Sequence, residues 1–397
     1  MRESANFKAM LAALASAFFR AVTDPRFITW TENGQEHRAL WRSESGTAPP
    51  RRVLVVDDRV TADMAYRHAS EGTAMLWRGD FQNARQLLQA MARRIDKRPR
   101  KPPADSPRES FNQHRMAQGQ RARTLGMLLI ALEADYGIAL RRAPDIREAC
   151  RQAYGPATQP SVASMRELLG LVGAYEWRRK GVDIPELAGR IHPHYGVYSP
   201  VRGEYIPLVA NTPLPRGAGQ LAFDIGTGTG VLAALLARRG VTRVVATDNS
   251  ERALACAREN LEQLKLTRSV ELVQADLFPE GRAPLVLCNP PWLPAKPTST
   301  VEQAVYDPDS RMLRGFLAGL ADHLAPAGEG WLILSDIAEH LQLRSREELL
   351  RWIGEAGLVV VGRQDVRPSH GRANDAADPL HAARSAEMTS LWRLSAQ

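Results

Sequence analysis

The stretch Leu221-Ala222-Phe223-Asp224-Ile225-Gly226-Thr227-Gly228-Thr229-Gly230-Val231 decides how the C-terminal half of this chain is read. A short apolar run ends in an acid, three glycines follow at alternate positions, and a helix-like apolar segment comes next. A strand-to-helix turn of this kind brings backbone N–H groups close to a ligand, and glycine leaves the room for that approach. A dinucleotide-binding turn would space its glycines G-x-G-x-x-G, whereas this one reads G-x-G-x-G with a carboxylate two residues ahead. An acid there suits a ligand carrying an ammonium and a sulfonium rather than a pyrophosphate. The spacing therefore favours S-adenosylmethionine over NAD, held by Asp224, Gly226, Thr227, Gly228 and Gly230.

Outward from this turn, apolar runs alternate with helical stretches, the pattern of a parallel α/β sheet. The expected strands are Leu221 to Asp224, Val244 to Thr247, Val270 to Gln274, Leu285 to Cys288, Trp331 to Ser335 and Leu358 to Gly362. Helices are expected over Gly230 to Arg239, Glu251 to Leu264, Arg311 to Leu324 and Arg346 to Glu355. A last run, Thr389 to Leu394, has no helix before it and is expected as an antiparallel edge strand. Two further acids fall at strand ends. Asp248, with Asn249 beside it, is placed to accept from a ribose diol. Asp276 is placed to accept from an adenine amino group, with Leu277 or Phe278 covering the ring.

Directly after the fourth strand stands Asn289-Pro290-Pro291-Trp292, about 60 residues downstream of the donor loop. Methyl transfer to an amide or aromatic amine needs a lone pair that resonance has delocalised. The site must pull the NH2 group toward tetrahedral geometry and stabilise the positive charge that develops on it. The Asn289 side-chain oxygen and the Pro290 carbonyl are the two acceptors, Pro291 stiffens the turn, and Trp292 offers a flat face for a planar group. Positioning supplies most of the effect, with no general base required before transfer.

These residues resemble the class I methyltransferases and, within them, the HemK-like group that modifies amide or exocyclic amino nitrogens. The resemblance runs from about Tyr195 to the C-terminus. It rests on the donor loop, on Ala253-Leu-Ala-Cys-Ala-Arg-Glu-Asn260, on Asp276-Leu277-Phe278 and on Asn289 to Trp292. It implies a Rossmann-like sheet of seven strands with the last one reversed, Asp248 on the ribose, Asp276 at the adenine end, and a release factor, ribosomal protein or RNA as acceptor. Many relatives carry Tyr where Trp292 stands; the indole keeps the stacking face and loses a hydroxyl. The segment His194 to Tyr205 is similar to the one that folds over the cofactor in that group, which makes Tyr195, Arg202 and Glu204 candidate substrate residues. Leu293 to Asp309, and Arg367 to Glu387 with its His370, Arg372 and His381, are expected to wall the substrate.

The N-terminal half reads differently. Residues 1–200 hold 31 lysines and arginines against 21 acids, a net +10, while residues 201–397 hold 21 against 23, a net −2. A basic excess confined to one half fits a substrate-recognition region facing RNA or the ribosome. Helical patterns dominate there, as in Asn83 to Arg94 and Arg121 to Leu132, with a charged, proline-rich linker near 93–108 dividing the half in two. The expected organisation is a mostly helical region over 1–195 and a methyltransferase domain over 196–397. Val53-Leu-Val-Val-Asp57-Asp58 resembles the first strand of a receiver domain but lacks that fold's later phospho-accepting Asp, and reads as a buried strand with solvated acids at its end. Ala9 to Phe19 reads as an amphipathic helix rather than a signal peptide, and no run approaches the roughly 20 apolar residues that span a bilayer. Three cysteines at unrelated spacings form no disulfide framework, which fits a cytoplasmic setting. His192 and His194 have no third ligand nearby, so no metal is expected. Two rivals to an N-methyltransferase are a non-catalytic S-adenosylmethionine-binding module and, less favoured, a nicotinamide-dependent oxidoreductase.

Overall fold

The computed structural model describes residues 26–97, 104–201, 203–297, 302, 304–368, 375 and 378–397. It divides into two compact units, Met1–Arg100 with Ala117–Gly173, and Lys101–Met116 with Ala174–Gln397. The helix expected over Ala9 to Phe19 lies outside the described residues. Among those described, no helix is long and apolar enough to cross a membrane.

The first unit holds more helical than strand residues, yet its organising element is a six-stranded sheet that the sequence pattern does not suggest. Strands β1 (Phe27–Glu32) and β2 (Gln35–Arg42) form an antiparallel hairpin. Its turn is Asn33-Gly34, both with positive φ, the two-residue turn whose twist matches paired strands. Strands β3 (Arg52–Val56), β4 (Thr73–Trp77), β5 (Leu128–Leu132) and β6 (Ser161–Ser164) complete the order β1-β2-β6-β5-β4-β3.

Four expectations change here. The helical reading of Arg121 to Leu132 fails at Gly126: one helix ends at Leu125, and Leu128–Leu132 is a buried strand. A short apolar run fits either element by periodicity alone. The charged stretch from Arg93 does not begin as a linker, because the helix Phe81–Asp96 extends into its first four residues and the next helix starts at Pro107; residues 98–103 lie outside the described set. Nor does that stretch split the region, since β5, beyond it, pairs with β4, before it. Finally β3 is a partly exposed edge strand, with Leu54 open to solvent, rather than a buried one.

The second unit contains a small hairpin, β7 (Val182–Ile184) with β8 (Gly189–Ile191), and a seven-stranded sheet. The sheet strands are β9 (Leu221–Ile225), β10 (Arg243–Asp248), β11 (Val270–Gln274), β12 (Ala283–Cys288), β13 (Leu324–Ser335), β14 (Leu358–Val366) and β15 (Thr389–Ala396). Their order is β11-β10-β9-β12-β13-β15-β14, with β9 to β13 parallel and β15 antiparallel to both neighbours. The seven expected runs all recur. One placement differs: β15 lies inside the sheet, pairing with β13 and β14, and the edge is β14.

Both faces of this sheet are covered, which is why its strands read as unbroken apolar runs. Ala222, Leu285, Leu287, Trp331 and Ile333 pack with the helix Val231–Arg238 on one side. Phe223, Ile225, Val286, Cys288 and Leu332 pack with the helices Arg311–His323 and Arg346–Glu355 on the other. Cutting a fully buried aromatic here such as Phe316 to alanine costs about 3–5 kcal/mol. The winding runs outward from β9 through β10 to β11, then crosses back to β12 on the other flank of β9. In a sheet wound both ways, the crevice opens at that switch, outside the carboxyl ends of β9 and β12.

Candidate active site

The register of β9 with β12 pairs Ile225 with Cys288, so the loop opening at Gly226 and the loop opening at Asn289 leave the sheet from the same level. The donor loop and the Asn-Pro-Pro-Trp motif are neighbours for that reason.

Gly226, Gly228 and Gly230 all have positive φ, the conformation that lets the backbone turn from strand to helix. A Cβ on Gly226 would lie 2.5 Å from Met312 Cε and one on Gly230 3.2 Å from Ala257, whereas one on Gly228 would meet nothing within 4 Å. The open side of the loop is therefore at Gly228. The loop is wired from within: Thr227 N–H donates to the Thr247 carbonyl at 2.8 Å, and the Thr227 hydroxyl donates to Asp224 Oδ2 at 2.7 Å.

Asp224 is 1% exposed, and burial pushes its carboxyl up to about 6, with the Thr227 hydroxyl opposing the shift. A carboxylate held so far from water favours an incoming cation. Asp248 accepts from the N–H groups of Gly228, at 3.0 Å on Oδ2, and Ser250, at 2.9 Å on Oδ1. Burial raises it too. Asn249 is exposed beside it.

Asp276 is exposed and pairs with Arg311 at 2.6 Å. The two residues after it pack on the neighbouring helix Arg311–His323. A Cβ on Gly315 would fall 2.7 Å from Leu277 Cδ1, and one on Gly319 2.6 Å from Phe278 Cε2. These glycines, four apart on the helix Arg311–His323, make a flat face on which both side chains lie. Phe278 stacks on Phe316 and, at 4.2 Å between centroids, on His323. Leu277 has φ 81° and its carbonyl accepts from the Thr247 hydroxyl.

In the transfer motif, the indole N–H of Trp292 donates to Asn289 Oδ1 at 3.0 Å, and the ring packs partly buried against both core clusters. Pro290 is buried and Pro291 half-buried. The chain after Trp292 folds back: Leu293 bridges Tyr306, its N–H donates to the Val305 carbonyl, and its carbonyl accepts from Asp307 N–H at 2.8 Å. Leu293 and Tyr306 pack on a cluster of Phe111, Ile337, Leu341, Leu380 and Ala383. Part of the Arg367–Glu387 segment thus backs this wall, while His370 and Arg372 lie outside the described residues.

Nothing in the sequence singles out Arg115. Its Nη2 donates to the Lys296 carbonyl at 2.7 Å, and its guanidinium sits 4.0 Å over the Tyr306 ring. It belongs to a stretch, Lys101–Met116, that lies far from the motifs in sequence but falls in the same compact unit.

Of the pre-core candidates, Arg202 lies outside the described residues. The Tyr195 carbonyl accepts from Arg252 at 3.4 Å, and Glu204 stands at the start of the helix Tyr205–Asn211. His192 and His194 dock this segment on the helix Glu251–Gln263: His192 N–H donates to Asn260 Oδ1, His194 N–H to Cys256 Sγ, and the His194 ring meets Glu259 at 2.9 Å. Among the described residues no group of acids, histidines and cysteines could hold a metal.

The family described as the methyltransferase small domain matches residues 190–351. The chain is 39% identical over 147 residues to the release factor glutamine methyltransferase of Cereibacter sphaeroides, covering 35% of this chain and 49% of that protein. To the enzyme of the same name from Gloeobacter violaceus it is 27% identical over 242 residues, covering 55% and 82%. It is also 44% identical over 73 residues to the ribosomal protein L11 methyltransferase of Pelotomaculum thermopropionicum, covering 18% and 24%. The chain thus spans about half the length of the first of these relatives. Residues 190–351 thus match the methyltransferase small domain family and carry a doubly wound sheet with the glycine turn at its switch point.

Proposed function

We propose that the chain methylates the side-chain amide nitrogen of a glutamine in a protein acceptor of the translation machinery, with a release factor as first candidate. The observation that carries this reading is the position of Asn289 to Trp292 beside the donor loop, at the level fixed by the Ile225 and Cys288 pairing. The similarity to release factor glutamine methyltransferases supports it.

The residues present fit the cofactor. Asp224 and the open backbone at Gly228 would hold its amino acid end, Asp248 with Asn249 its ribose, and Asp276 its adenine end. When bound, S-adenosylmethionine supplies an electrophilic methyl group on a sulfonium. The chain's own residues do the rest. Asn289 Oδ1 already accepts from Trp292, which fixes the side chain in one orientation and leaves one lone pair for an acceptor N–H. The Pro290 carbonyl takes the second N–H. Two acceptors on one NH2 group draw its nitrogen out of the amide plane and carry the charge that develops there. Trp292 stacks on the amide, and the pairing of Leu293 with Tyr306 and Asp307 limits water. Tyr195, Arg202 and Glu204 are assigned to the acceptor side, and the basic residues 1–195 to recognition of the larger substrate.

The test is transfer of labelled methyl from S-adenosylmethionine to a purified bacterial release factor. Label in a glutamine of that protein supports the reading. Label absent from protein but removed by RNase from a treated extract sinks it in favour of a nucleobase acceptor, and calorimetric binding without any transfer favours a non-catalytic module.

A further inference from the structure

Asp307 lies between the chain that follows Trp292 and Met312, which packs at Gly226. Its backbone N–H donates to the carbonyl of Leu293, the residue directly after Trp292, at 2.8 Å. Its carboxylate accepts from the N–H groups of Met312 and Leu313, at 2.9 Å on Oδ1 and 3.1 Å on Oδ2. Met312 is the residue whose methyl rests where a side chain on Gly226 would begin. One side of Asp307 therefore leads in a single covalent step to the acceptor motif, and the other leads through Met312 to the donor loop.

Ordinary helix capping does not account for this. The residue at the cap of the helix Arg311–His323 is Ser310, whose side chain makes no cap bond. The cap comes instead from five and six residues upstream, across Asp309 and Ser310, which have φ of 55° and 52°. Side-chain-bearing residues rarely adopt that conformation, and a pair of them persists where surroundings impose it. Asp307 is 5% exposed, and the buried guanidinium of Arg344 supplies opposite charge nearby. Both oxygens are committed to the first turn of the helix Arg311–His323, and the backbone N–H to the Leu293 carbonyl.

We infer that Asp307 is a positioning residue that sets the spacing between methyl donor and acceptor nitrogen. In-line transfer tolerates little error in that spacing, and a displacement on the order of 1 Å can cost about 100-fold. This inference rests on the proposed reading of the two loops.

The experiment compares wild type with Asp307→Ala, Asp307→Asn and Asp307→Glu, using S-adenosylmethionine and a bacterial release factor, with amide deuterium exchange run in parallel. Asn folds in the same volume but offers one acceptor and turns an NH2 toward an N–H, while Glu keeps both oxygens. A loss in kcat of about 100-fold for Ala and about 10-fold for Asn is expected, with Glu recovering to within about 5-fold. Donor Kd and acceptor KM stay within about threefold of wild type. Exchange speeds up together at Leu293 to Lys296 and at Met312 to Arg314. A loss in Kd or KM that matches the loss in kcat, or a Glu variant no better than Ala, overturns the inference. Wild type that neither binds the donor nor transfers methyl overturns the reading of the site instead. Exchange then decides on Asp307 by itself, and faster exchange on one side only refutes the bridge.

Discussion

The Trp292 indole N–H and the Asn289 Oδ1 are 3.0 Å apart, so the first and last residues of the transfer motif hold each other. A phenyl ring at position 292 would keep the stacking face and lose the donor, leaving the Asn289 amide free to rotate. A net hydrogen bond of about 1 kcal/mol, felt at the transition state, corresponds to roughly fivefold in rate. Trp292→Phe is expected to lower kcat/KM for a release factor by about that factor with donor affinity unchanged. Steady-state kinetics beside calorimetry measure this, and an unchanged kcat/KM would show that the indole bond does not orient Asn289.

Asp224 links function to stability. Its folded pKa of about 6 lies above the ordinary 3.8 because burial disfavours the charge. With the folded value raised, the group's contribution to stability is fully present below pH about 4 and is lost as pH rises through about 6. A difference of that size between folded and unfolded chain corresponds to roughly 3 kcal/mol. Asp224→Asn, always neutral, should leave stability near pH 4 unchanged and raise it at pH 8 by about 1–3 kcal/mol, less than the full difference because its NH2 must find acceptors. The same variant should bind S-adenosylmethionine far more weakly, and wild-type affinity should decline as pH drops below about 6. Denaturant melts at both pH values check the first claim; equal stability changes at pH 4 and pH 8 would refute the buried-charge explanation.

The second unit is legible in the sequence because its signals are local and repeated. Each strand from Leu221 to Cys288 is a continuous apolar run set off by turn residues, and the glycine turn fixes where the ligand crevice opens. Asn289 needs only its place after β12. What stays hidden depends on pairing at a distance. Arg115 reaches Lys296 and Tyr306 across some 180 residues of chain, and no periodicity encodes that. The place of β15 inside the sheet follows from which strand pairs with β13, not from its own sequence. In the first unit, Leu128 to Leu132 is too short to tell strand from helix, whereas the Asn33-Gly34 dipeptide is a local hairpin signal that could have revealed β1 and β2. Gly315 and Gly319 read as weak points of a helix until Leu277 and Phe278 are seen lying on them.

Phe278 separates a structural role from a cofactor one. Its ring stacks between Phe316 and His323 on the glycine face of the helix Arg311–His323. Phe278→Ala should therefore cost stability, about 2–4 kcal/mol for a largely buried aromatic, while changing donor affinity by less than about threefold at a temperature where the variant is folded. Thermal melts and calorimetry on the same sample test both halves. A stable variant with lost donor binding would return Phe278 to the adenine site.

Arg311 and Asp276 form an exposed ion pair at 2.6 Å, with side chains 74% and 61% accessible. Pairs in that setting contribute about 0–1 kcal/mol to folding, so Arg311→Ala should leave the melting temperature nearly unchanged. Its effect on the donor should be larger in relative terms. If Asp276 accepts from the adenine amino group, the guanidinium competes for the same carboxylate, and removing it should tighten S-adenosylmethionine binding by about two- to fivefold. Salt screens the exposed pair in the wild type, so the difference between the two proteins should shrink as ionic strength rises past the point where the Debye length falls to about 3 Å, near 1 M. Asp276→Asn should weaken binding in both backgrounds, because the amide keeps one acceptor oxygen but loses the charge. Titrations of the four proteins at low and high salt make a closed cycle. Weaker donor binding in Arg311→Ala would instead assign the guanidinium to the cofactor and remove Asp276 from the adenine end.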